Sequence, residues 1–379
     1  MENVESIRAP DPGEPLVLSI DRRLQYLAYL ELKAVVTHYQ ARSGTIVLLD
    51  VDTGEVLAMA SQPSYNPNNR TGLQSDALRN RAMTDVFEPG STIKPFTIAA
   101  ALESGLYEAD ETLDTAPGYY RVGGHTIRDH RDYGVLDLTG IIRKSSNVGA
   151  SKIALSLESD RLWSMFDRLG LGRITGTGFP GEAGGRLSTP GGWSDVELAT
   201  AAFGYGLSVT AVQLAQAYAT LGAGGVQRPV SLLRQDAGVN GGRVMPAAVA
   251  RQVVGMLEGV VTADGTGSRA AIKGYRVAGK TGTVHKATAG GYATDRYLSV
   301  FAGLAPASRP RLALVVMIDE PQGEYYGGIV AAPVFSRVMA DALRLLNLPP
   351  DDLPALSPSH RAALIAQRPD DDAAGESAR

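Results

Sequence analysis

The chain has 379 residues, with 36 Lys and Arg against 40 Asp and Glu and a formal net charge of −4. Hydrophobic residues make up 44% and charged residues 20%, which are globular values and exclude a generally disordered chain. The balanced charge, without a long basic block, argues against nucleic acid as a partner, and the absence of cysteine excludes disulfides, thiol nucleophiles and Cys-ligated metals.

The two ends of the chain differ in composition from the rest. Met1–Pro15 is polar and contains proline, which predicts a linker. Pro349–Arg379 is rich in Pro, Asp and Ala, which predicts a mobile tail. No apolar run reaches the ~18–20 residues that a membrane span needs. We therefore expect the folded domain to occupy 16–348.

Periodicity predicts strands near both ends of this domain. A helix over Ser19–Gln40, with Ser19 or Asp21 as its N-cap, precedes a β-hairpin of Thr45–Val51 and Glu55–Ala60. Three further strands and a final helix close the domain: Tyr275–Val284, Tyr297–Ala305, Leu312–Ile318 and Ala332–Leu346. We therefore expect an α/β fold with a five-stranded antiparallel sheet flanked by helices.

The segment between the two groups of strands, about 62–273, is predicted to be a mainly helical insertion. Its clearest helical patterns are Thr92–Ser104, Leu138–Leu157, Asp160–Leu169, Val209–Gly222 and Pro246–Thr262. A cleft between the sheet and the insertion is where we expect a functional site.

Ser91 and Lys94 form a Ser-x-x-Lys pattern at the predicted start of a helix. This spacing places the hydroxyl and the amine on one face, one turn apart. A lysine with a lowered pKa can act as the base that a serine nucleophile needs, and the N-terminal amides of the helix favour an oxyanion near Ser91. Taken alone, the pattern also fits a helix cap beside a surface lysine.

Ser145, Ser146 and Asn147 form a Ser-x-Asn pattern inside a predicted helix. Residues of this kind are also favoured as helix caps. The loop sequence Ser64-Tyr65-Asn66 has the same pattern and is interpreted as a chance match.

Lys280, Thr281, Gly282 and Thr283 lie on a predicted strand. An edge strand can bind an extended peptide through its main chain, Lys280 can attract a carboxylate, and Gly282 permits close approach of a backbone. A competing hypothesis is a nucleotide site, because Gly274–Thr281 also matches the phosphate-loop pattern G-x-x-x-x-G-K-[ST]. A phosphate loop needs a helix that begins at the lysine, and the sequence after Lys280 favours a strand.

A metal centre has weaker support. His125, Asp129, His130 and Asp132 are close in sequence and could hold a metal, although a polar loop is the simpler interpretation. We expect no metal and no cofactor.

The ordered set Ser-x-x-Lys, Ser-x-Asn and Lys-Thr-Gly-Thr resembles the signature of active-site-serine penicillin-recognising enzymes. Further stretches resemble class B penicillin-binding proteins, most of all the septal cell-division transpeptidase of Gram-negative bacteria: Tyr65–Arg70, Arg79–Ala82, Phe87–Ser91, Lys144–Gly149, Gly204–Thr210 and Phe301–Gly303. The resemblance implies a β-lactamase/transpeptidase-like fold and a serine D,D-transpeptidase that cross-links peptidoglycan and is acylated by β-lactams.

The resemblance also implies roles for individual residues. Ser91 is the expected nucleophile, Lys94 its base, and Ser145 a proton relay to the leaving amine. Asn147 is expected to hold the substrate amide. Lys280 is expected to be a catalytic residue that also binds the terminal carboxylate. The expected substrate-binding residues lie along the strand and around it: Thr281, Gly282, Thr283, Tyr205, Tyr326 and His285. The backbone amides of Ser91 and Thr283 are the expected oxyanion hole.

Two departures from the family pattern accompany this resemblance. The membrane helix and the non-catalytic pedestal of the family are not found in this sequence, and His285 stands where close septal relatives commonly have Arg. Expected partners are stem peptides ending in D-Ala-D-Ala, β-lactams and, for a full-length protein at the periplasmic face of the inner membrane, divisome proteins including a membrane glycosyltransferase. A β-lactamase and a non-catalytic β-lactam sensor remain alternatives with the same motifs.

Overall fold

The computed structural model describes residues 12–353, except 70, 73, 190, 192, 236–238 and 289. Most of the predicted linker and the predicted tail from residue 354 onward lie outside the described residues. The α-helices are, in chain order, α1 Arg22–His38, α2 Arg81–Thr84, α3 Lys94–Ser104, α4 Leu138–Lys144, α5 Asn147–Ser156, α6 Ser159–Arg168, α7 Asp195–Ala201, α8 Ala211–Gly222, α9 Ala247–Val261, α10 Gly327–Val330 and α11 Ala332–Leu345. The strands are β1 Ser43–Asp50, β2 Val56–Gln62, β3 Thr112–Asp114, β4 Tyr119–Val122, β5 His125–Arg128, β6 Val135–Asp137, β7 Val226–Gln227, β8 Gly242–Arg243, β9 Ala278–Thr288, β10 Gly291–Ala305 and β11 Leu312–Asp319.

A five-stranded antiparallel sheet forms the centre of the fold, with strand order β2-β1-β11-β10-β9. The first two and the last three predicted strands thus meet in one sheet, which confirms the predicted discontinuous α/β architecture. Strand β9 lies at one edge and pairs only with β10 within this sheet. Its Lys280 is opposite Ala302 and its Gly282 is opposite Val300.

Helices cover both faces of the sheet. Along β1, Ile46 and Leu48 join the apolar core that contains α1 and α11, whereas Val47 and Leu49 join the core that contains α8 and the insertion. Successive side chains of a strand point to opposite faces, so a strand between two helical layers needs apolar residues at every position. This explains the continuous apolar runs at 46–49 of β1 and 312–318 of β11, two strands that are buried throughout.

The predicted N-terminal helix is confirmed as α1, and Asp21 rather than Ser19 is its N-cap. The Asp21 carboxylate accepts a hydrogen bond of 2.8 Å from the backbone N–H of Arg23. No helix within the described ranges is long and apolar enough to cross a membrane.

The prediction of one helix over Leu138–Leu157 is wrong, because two helices, α4 and α5, occupy this range. Ser145 adopts the left-handed conformation (φ 61°) and ends α4, and the Ser146 side chain then caps α5 by accepting from the Gly149 N–H at 2.9 Å. The insertion is also less purely helical than expected, since β3 pairs with β6, β4 with β5 and β7 with β8.

The end of the domain extends slightly past residue 348. The Asp351 carboxylate accepts hydrogen bonds from the backbone N–H groups of Arg276 (2.7 Å) and Ser308 (3.0 Å), and the Asp352 N–H donates to the Gly274 carbonyl at 3.1 Å. The first residues of the predicted tail therefore contact the sheet end of the domain.

Candidate active site

Ser91 lies in a short 3-10 helix, Gly90–Ile93, that leads directly into α3. Gly90 has φ 53°, and a Cβ at this position would lie 2.4 Å from a methyl group of Val284 on β9. A Cβ on Gly204 would lie 2.2 Å from the Gly90 carbonyl oxygen, and the Gly90 N–H donates to the Gly204 carbonyl at 3.1 Å. The turn that presents Ser91 is therefore held between the edge strand and the Gly204 loop, and only glycine permits both close approaches.

Lys94 follows one turn later and is fully buried. Its Nζ donates to the Ser145 carbonyl at 2.5 Å and to Asn147 Oδ1 at 2.7 Å, and it lies 3.2 Å from Ser145 Oγ. A neutral amine has two N–H groups and one lone pair, so these two acceptors leave the lone pair free for a hydroxyl. Among the described residues, no hydrogen bond joins Lys94 Nζ to Ser91 Oγ; such contacts are often long before substrate binds.

Ser145 connects the two lysines. Lys280 Nζ, also fully buried, donates to Ser145 Oγ at 2.9 Å, on the same oxygen that Lys94 contacts. The left-handed backbone of Ser145 is uncommon for a residue other than glycine, and such conformations cluster at active sites. Lys94, Ser145 and Lys280 lie far apart in the sequence, and these contacts join their side chains.

Burial determines the protonation of both lysines. It is the main cause that lowers the pKa of Lys94 well below its usual value, the positive charge of Lys280 lowers it further, and the negative charge of Asp129 opposes both effects. Burial also lowers the pKa of Lys280 to about 7. The lowered pKa favours the neutral amine of Lys94, which is the form that can accept a proton from a hydroxyl.

Strand β9 runs beside the Ser91 turn. A Cβ on Gly282 would lie 3.1 Å from Thr92 Cγ2, so the close approach at this glycine is to the Ser91 turn itself. The Thr281 hydroxyl is hydrogen-bonded to the Thr266 hydroxyl at 2.8 Å, and Thr283 Oγ1 accepts from the Gly327 N–H at 3.0 Å.

The free edge of β9 carries backbone donors. The His285 N–H points away from β10 and donates to the Tyr205 hydroxyl at 3.4 Å. Because hydrogen-bonding directions alternate along an antiparallel strand, the Thr283 N–H points to the same edge. The Ser91 N–H, in the first turn of its helix, makes no hydrogen bond with other described residues. Both predicted oxyanion-hole donors are therefore available on facing elements.

His285 also has a side-chain contact that limits its chemistry. Its Nδ1 lies 2.8 Å from the Ala293 carbonyl. A carbonyl only accepts, so we assign the proton to Nδ1, which leaves Nε2 as the nitrogen available to a ligand. In the neutral ring Nε2 is an acceptor, and only the imidazolium could donate to a substrate carboxylate.

Aromatic rings line the rim of the site in two groups. Tyr205 packs edge-on against Tyr292 at 5.1 Å between ring centroids. The second group is a continuous series in which neighbouring centroids are 4.7, 4.1 and 4.6 Å apart, formed by His285, Tyr297, Tyr325 and Tyr326. Tyr326 is 43% exposed and immediately precedes Gly327, the partner of Thr283. The rim residues predicted from the sequence thus lie around the same strand edge.

The structure adds three residues that the sequence analysis did not place in the site. Glu88 Oε1 accepts from the Gly206 N–H at 2.8 Å and from the Tyr292 hydroxyl at 2.9 Å, which joins the Ser91 turn to the β9–β10 hairpin. Asp129 contacts the start of α5. Glu88 lies within a stretch that carries the family resemblance, the sequence around Asp129 suggests only a metal ligand, and no motif marks Tyr292.

The structure also tests the phosphate loop, the metal site and the second Ser-x-Asn pattern. Lys280 lies inside strand β9, and no helix begins there, so the phosphate-loop hypothesis is wrong. Within the ranges that the structure describes, no group of three or more His, Cys, Asp or Glu side chains is arranged to hold a metal ion. Ser64 lies exposed in the loop after β2 and is not among the contacts of Lys94.

The fold and the site are those of a penicillin-binding transpeptidase domain, with Ser91, Lys94, Ser145 and Lys280 at its centre. The comparison of sequences agrees with this class. The sequence model of the penicillin binding protein transpeptidase domain matches residues 44–340, so the chain belongs to this family.

Two related proteins and one solved structure show how similar this chain is to individual members of the family. The chain is 50% identical over 353 residues to the peptidoglycan D,D-transpeptidase FtsI of Escherichia coli, covering 92% of this chain and 60% of that protein. It is 43% identical over 354 residues to the probable peptidoglycan D,D-transpeptidase PbpC of Pseudomonas aeruginosa, covering 93% and 63%. Among solved structures, the apo TP domain of Burkholderia pseudomallei penicillin-binding protein 3 has a TM-score of 0.83 and 41% identity, covering 91% of this chain and all of that one. The chain thus spans about 60% of the length of the FtsI protein that it matches.

Proposed function

We propose that this domain is a serine D,D-transpeptidase that cross-links peptidoglycan stem peptides in septal cell-wall synthesis. The observation that carries the proposal is the buried series of contacts from Lys94 through Ser145 to Lys280, one helical turn from Ser91. The names of the relatives support the same activity. We further propose that 16–348, together with the docked residues 351 and 352, forms the transpeptidase domain, with 62–273 as its insertion.

Acylation begins when Ser91 Oγ attacks the carbonyl carbon of the penultimate D-Ala of a stem peptide. Lys94 accepts the hydroxyl proton as the new C–O bond forms. The N–H groups of Ser91 and Thr283 stabilise the negative charge that develops on the carbonyl oxygen. The C–N bond to the terminal D-Ala then breaks, and Ser145 passes a proton from Lys94 to the leaving amine, which gives an acyl-enzyme on Ser91 and free D-Ala.

Substrate binding uses groups around this centre. Asn147 Nδ2 donates one hydrogen to the Arg128 carbonyl at 3.0 Å, so its second amide hydrogen remains for the substrate amide. Lys280, Thr281 and Thr283 bind the terminal carboxylate, and Gly282 brings β9 against the Ser91 turn. Tyr205 and Tyr326 contact the stem peptide at the rim, and His285 contacts its carboxylate only as the imidazolium.

Transfer completes the reaction when an amine of a neighbouring stem peptide attacks the ester carbonyl carbon and gives up a proton to Lys94, directly or through Ser145. The C–O bond to Ser91 then breaks, and Lys94 passes that proton to Ser91 Oγ. β-Lactams acylate Ser91 in the same way and persist, because no residue in these motifs is an obvious activator of water. Each step uses only side chains and backbone groups of this chain.

The resemblance to class B penicillin-binding proteins supports a proposal about the wider setting. We infer that the complete protein acts at the periplasmic face of the inner membrane, with divisome proteins, including a membrane glycosyltransferase, as partners.

The test is incubation of the purified protein with a penicillin, with a D-Ala-D-Ala peptide or thioester, and with nitrocefin. The proposal expects a long-lived penicilloyl adduct, release of D-Ala or thiol from the substrate, and no rapid nitrocefin turnover. Rapid nitrocefin hydrolysis would instead establish a β-lactamase. Acylation without any substrate turnover would establish a sensor.

A further inference from the structure

Asp129 connects the β4–β5 hairpin to the start of helix α5. Its Oδ2 accepts a hydrogen bond of 2.6 Å from the Ser146 hydroxyl. Its Oδ1 accepts from the backbone N–H groups of Asn147 at 2.5 Å and of Val148 at 3.0 Å. One carboxylate therefore satisfies two of the free amides of the helix N-terminus and its capping hydroxyl.

The residue before Asp129 holds the same asparagine by its side chain. The Arg128 carbonyl accepts from Asn147 Nδ2 at 3.0 Å, and this turns Oδ1 of Asn147 toward Lys94 Nζ, 2.7 Å away. Two consecutive residues at the end of β5 thus fix both the backbone and the side chain of Asn147. Asn147 in turn supplies one of the two close acceptors of the Lys94 amine.

We infer that Asp129 is a positioning residue for the reaction: it fixes Asn147 at the start of α5, and through Asn147 it orients the Lys94 amine toward the hydroxyl that it deprotonates. This inference rests on the proposed transpeptidase function and deepens it. Asp129 touches neither substrate nor reacting atoms, so its effect is exerted through Asn147 and through its charge.

The charge of Asp129 gives the inference a distinctive consequence. The groups that act electrostatically on Lys94 are Lys280 from β9, which lowers the pKa of Lys94, and Asp129 from the hairpin, which raises it. Tyr133, close to Asp129, has its pKa raised by burial and then by the Asp129 charge, so it stays neutral near neutral pH. Removing the charge of Asp129 should therefore lower the pKa of Lys94 further. The acid limb of the acylation rate should move to lower pH, the direction opposite to that expected on removing Lys280.

The experiment is the rate of penicillin acylation against pH for the wild type, Asp129→Asn, Asp129→Ala and the control Asp132→Asn. Asp132 is an exposed carboxylate of the same loop that accepts from the Gly134 N–H at 2.8 Å, and among the described residues it makes no hydrogen bond or ion pair with α5. Asp129→Asn should move the acid limb to lower pH. Asp129→Ala should in addition reduce the plateau rate, by about 10²-fold for a misplaced catalytic group. Asp132→Asn should match the wild type.

An unchanged acid limb in folded Asp129→Asn, or an unchanged plateau in folded Asp129→Ala, would overturn the inference, as would the same shift in Asp132→Asn. Asp129→Ser, which keeps a short capping acceptor without the charge, replaces Asp129→Ala should the alanine variant not fold. Failure of the wild type itself to form an adduct would refute the proposed function, and this outcome is distinct from an effect confined to Asp129.

Discussion

Lys280 is the side chain whose removal should change the pH dependence of the reaction most clearly. It is fully buried and donates to Ser145 Oγ at 2.9 Å. Below the lowered pKa of Lys94 the base is protonated and cannot accept the Ser91 proton. Above about 7, the pKa of Lys280, the free enzyme loses the cation that attracts the substrate carboxylate. We therefore expect kcat/KM to follow a bell-shaped dependence on pH, with its alkaline limb near pH 7.

Replacement of Lys280 by alanine should act on both limbs. Loss of the positive charge removes a repulsion that lowers the pKa of Lys94, so that pKa rises and the acid limb moves to higher pH. The alkaline limb should disappear with its titrating group. A hydrogen bond to a charged group contributes ~1.5–3 kcal/mol, so kcat/KM for a carboxylate-bearing substrate should fall about 10- to 150-fold. Lys280→Arg stays charged at all relevant pH values, so it should keep the acid limb and lose the alkaline one.

The assay is the acylation rate with a carboxylate-bearing penicillin across the pH range, with the exposed Lys273→Ala variant as control. Melting curves at each pH confirm that every variant is folded. Wild-type rates and limbs in Lys280→Ala would show that β9 is not a wall of the site, and the account of carboxylate binding would be wrong.

Three further predictions concern the base, the loop that carries the nucleophile and the end of the domain. Lys94→Ala should reduce the penicillin acylation rate by at least the ~10²–10⁴-fold of general-base catalysis, and an unchanged rate in the folded variant would mean that another group activates the serine. Burial raises the pKa of Glu88, so its charged form is disfavoured in the folded state and stability falls as pH rises through that pKa. Thermal melts near neutral pH should therefore show Glu88→Gln at or above the wild-type Tm, and Glu88→Ala below it; the reverse order would contradict this. Truncation after Leu353 should leave the free energy of unfolding unchanged. Truncation after Leu348 removes the two hydrogen bonds of Asp351 and should lower that free energy by on the order of 1–3 kcal/mol in denaturant unfolding. Equal losses in the two truncated proteins would refute the docking of Asp351.

Much of the sheet and part of the site could be predicted from local sequence. Apolar runs bounded by turn residues identified the central strands. These strands lack the usual alternation of apolar and polar residues, because helices bury both faces of the sheet. The spacing of Ser91 and Lys94 placed both on one helical turn, since this relation depends only on helix geometry. Local periodicity could not show that Ser145 meets Lys94, 51 residues away in sequence, or Lys280, 135 residues away. Those contacts were expected only through the family resemblance.

The features that sequence reasoning missed depend on tertiary contacts. The break at Ser145 needs a left-handed residue at a point where the adjacent residues, 143–147, include no glycine or proline, and two buried lysines hold its side chain in place. The sequence around Asp129 suggested a metal ligand, which is misleading. Its partners are backbone amides at the start of α5, and the residues next to it in sequence do not indicate this contact.

The central claim is that Ser91 is the nucleophile, and one measurement tests it most directly. The protein is incubated with a penicillin, its intact mass is determined, and the labelled peptide is mapped after digestion. The account predicts a single adduct per chain, on Ser91, because this serine lies one helical turn before the buried amine of Lys94. An adduct on Ser64, on Ser145 or on any other residue, or the absence of an adduct on the folded protein, would contradict it.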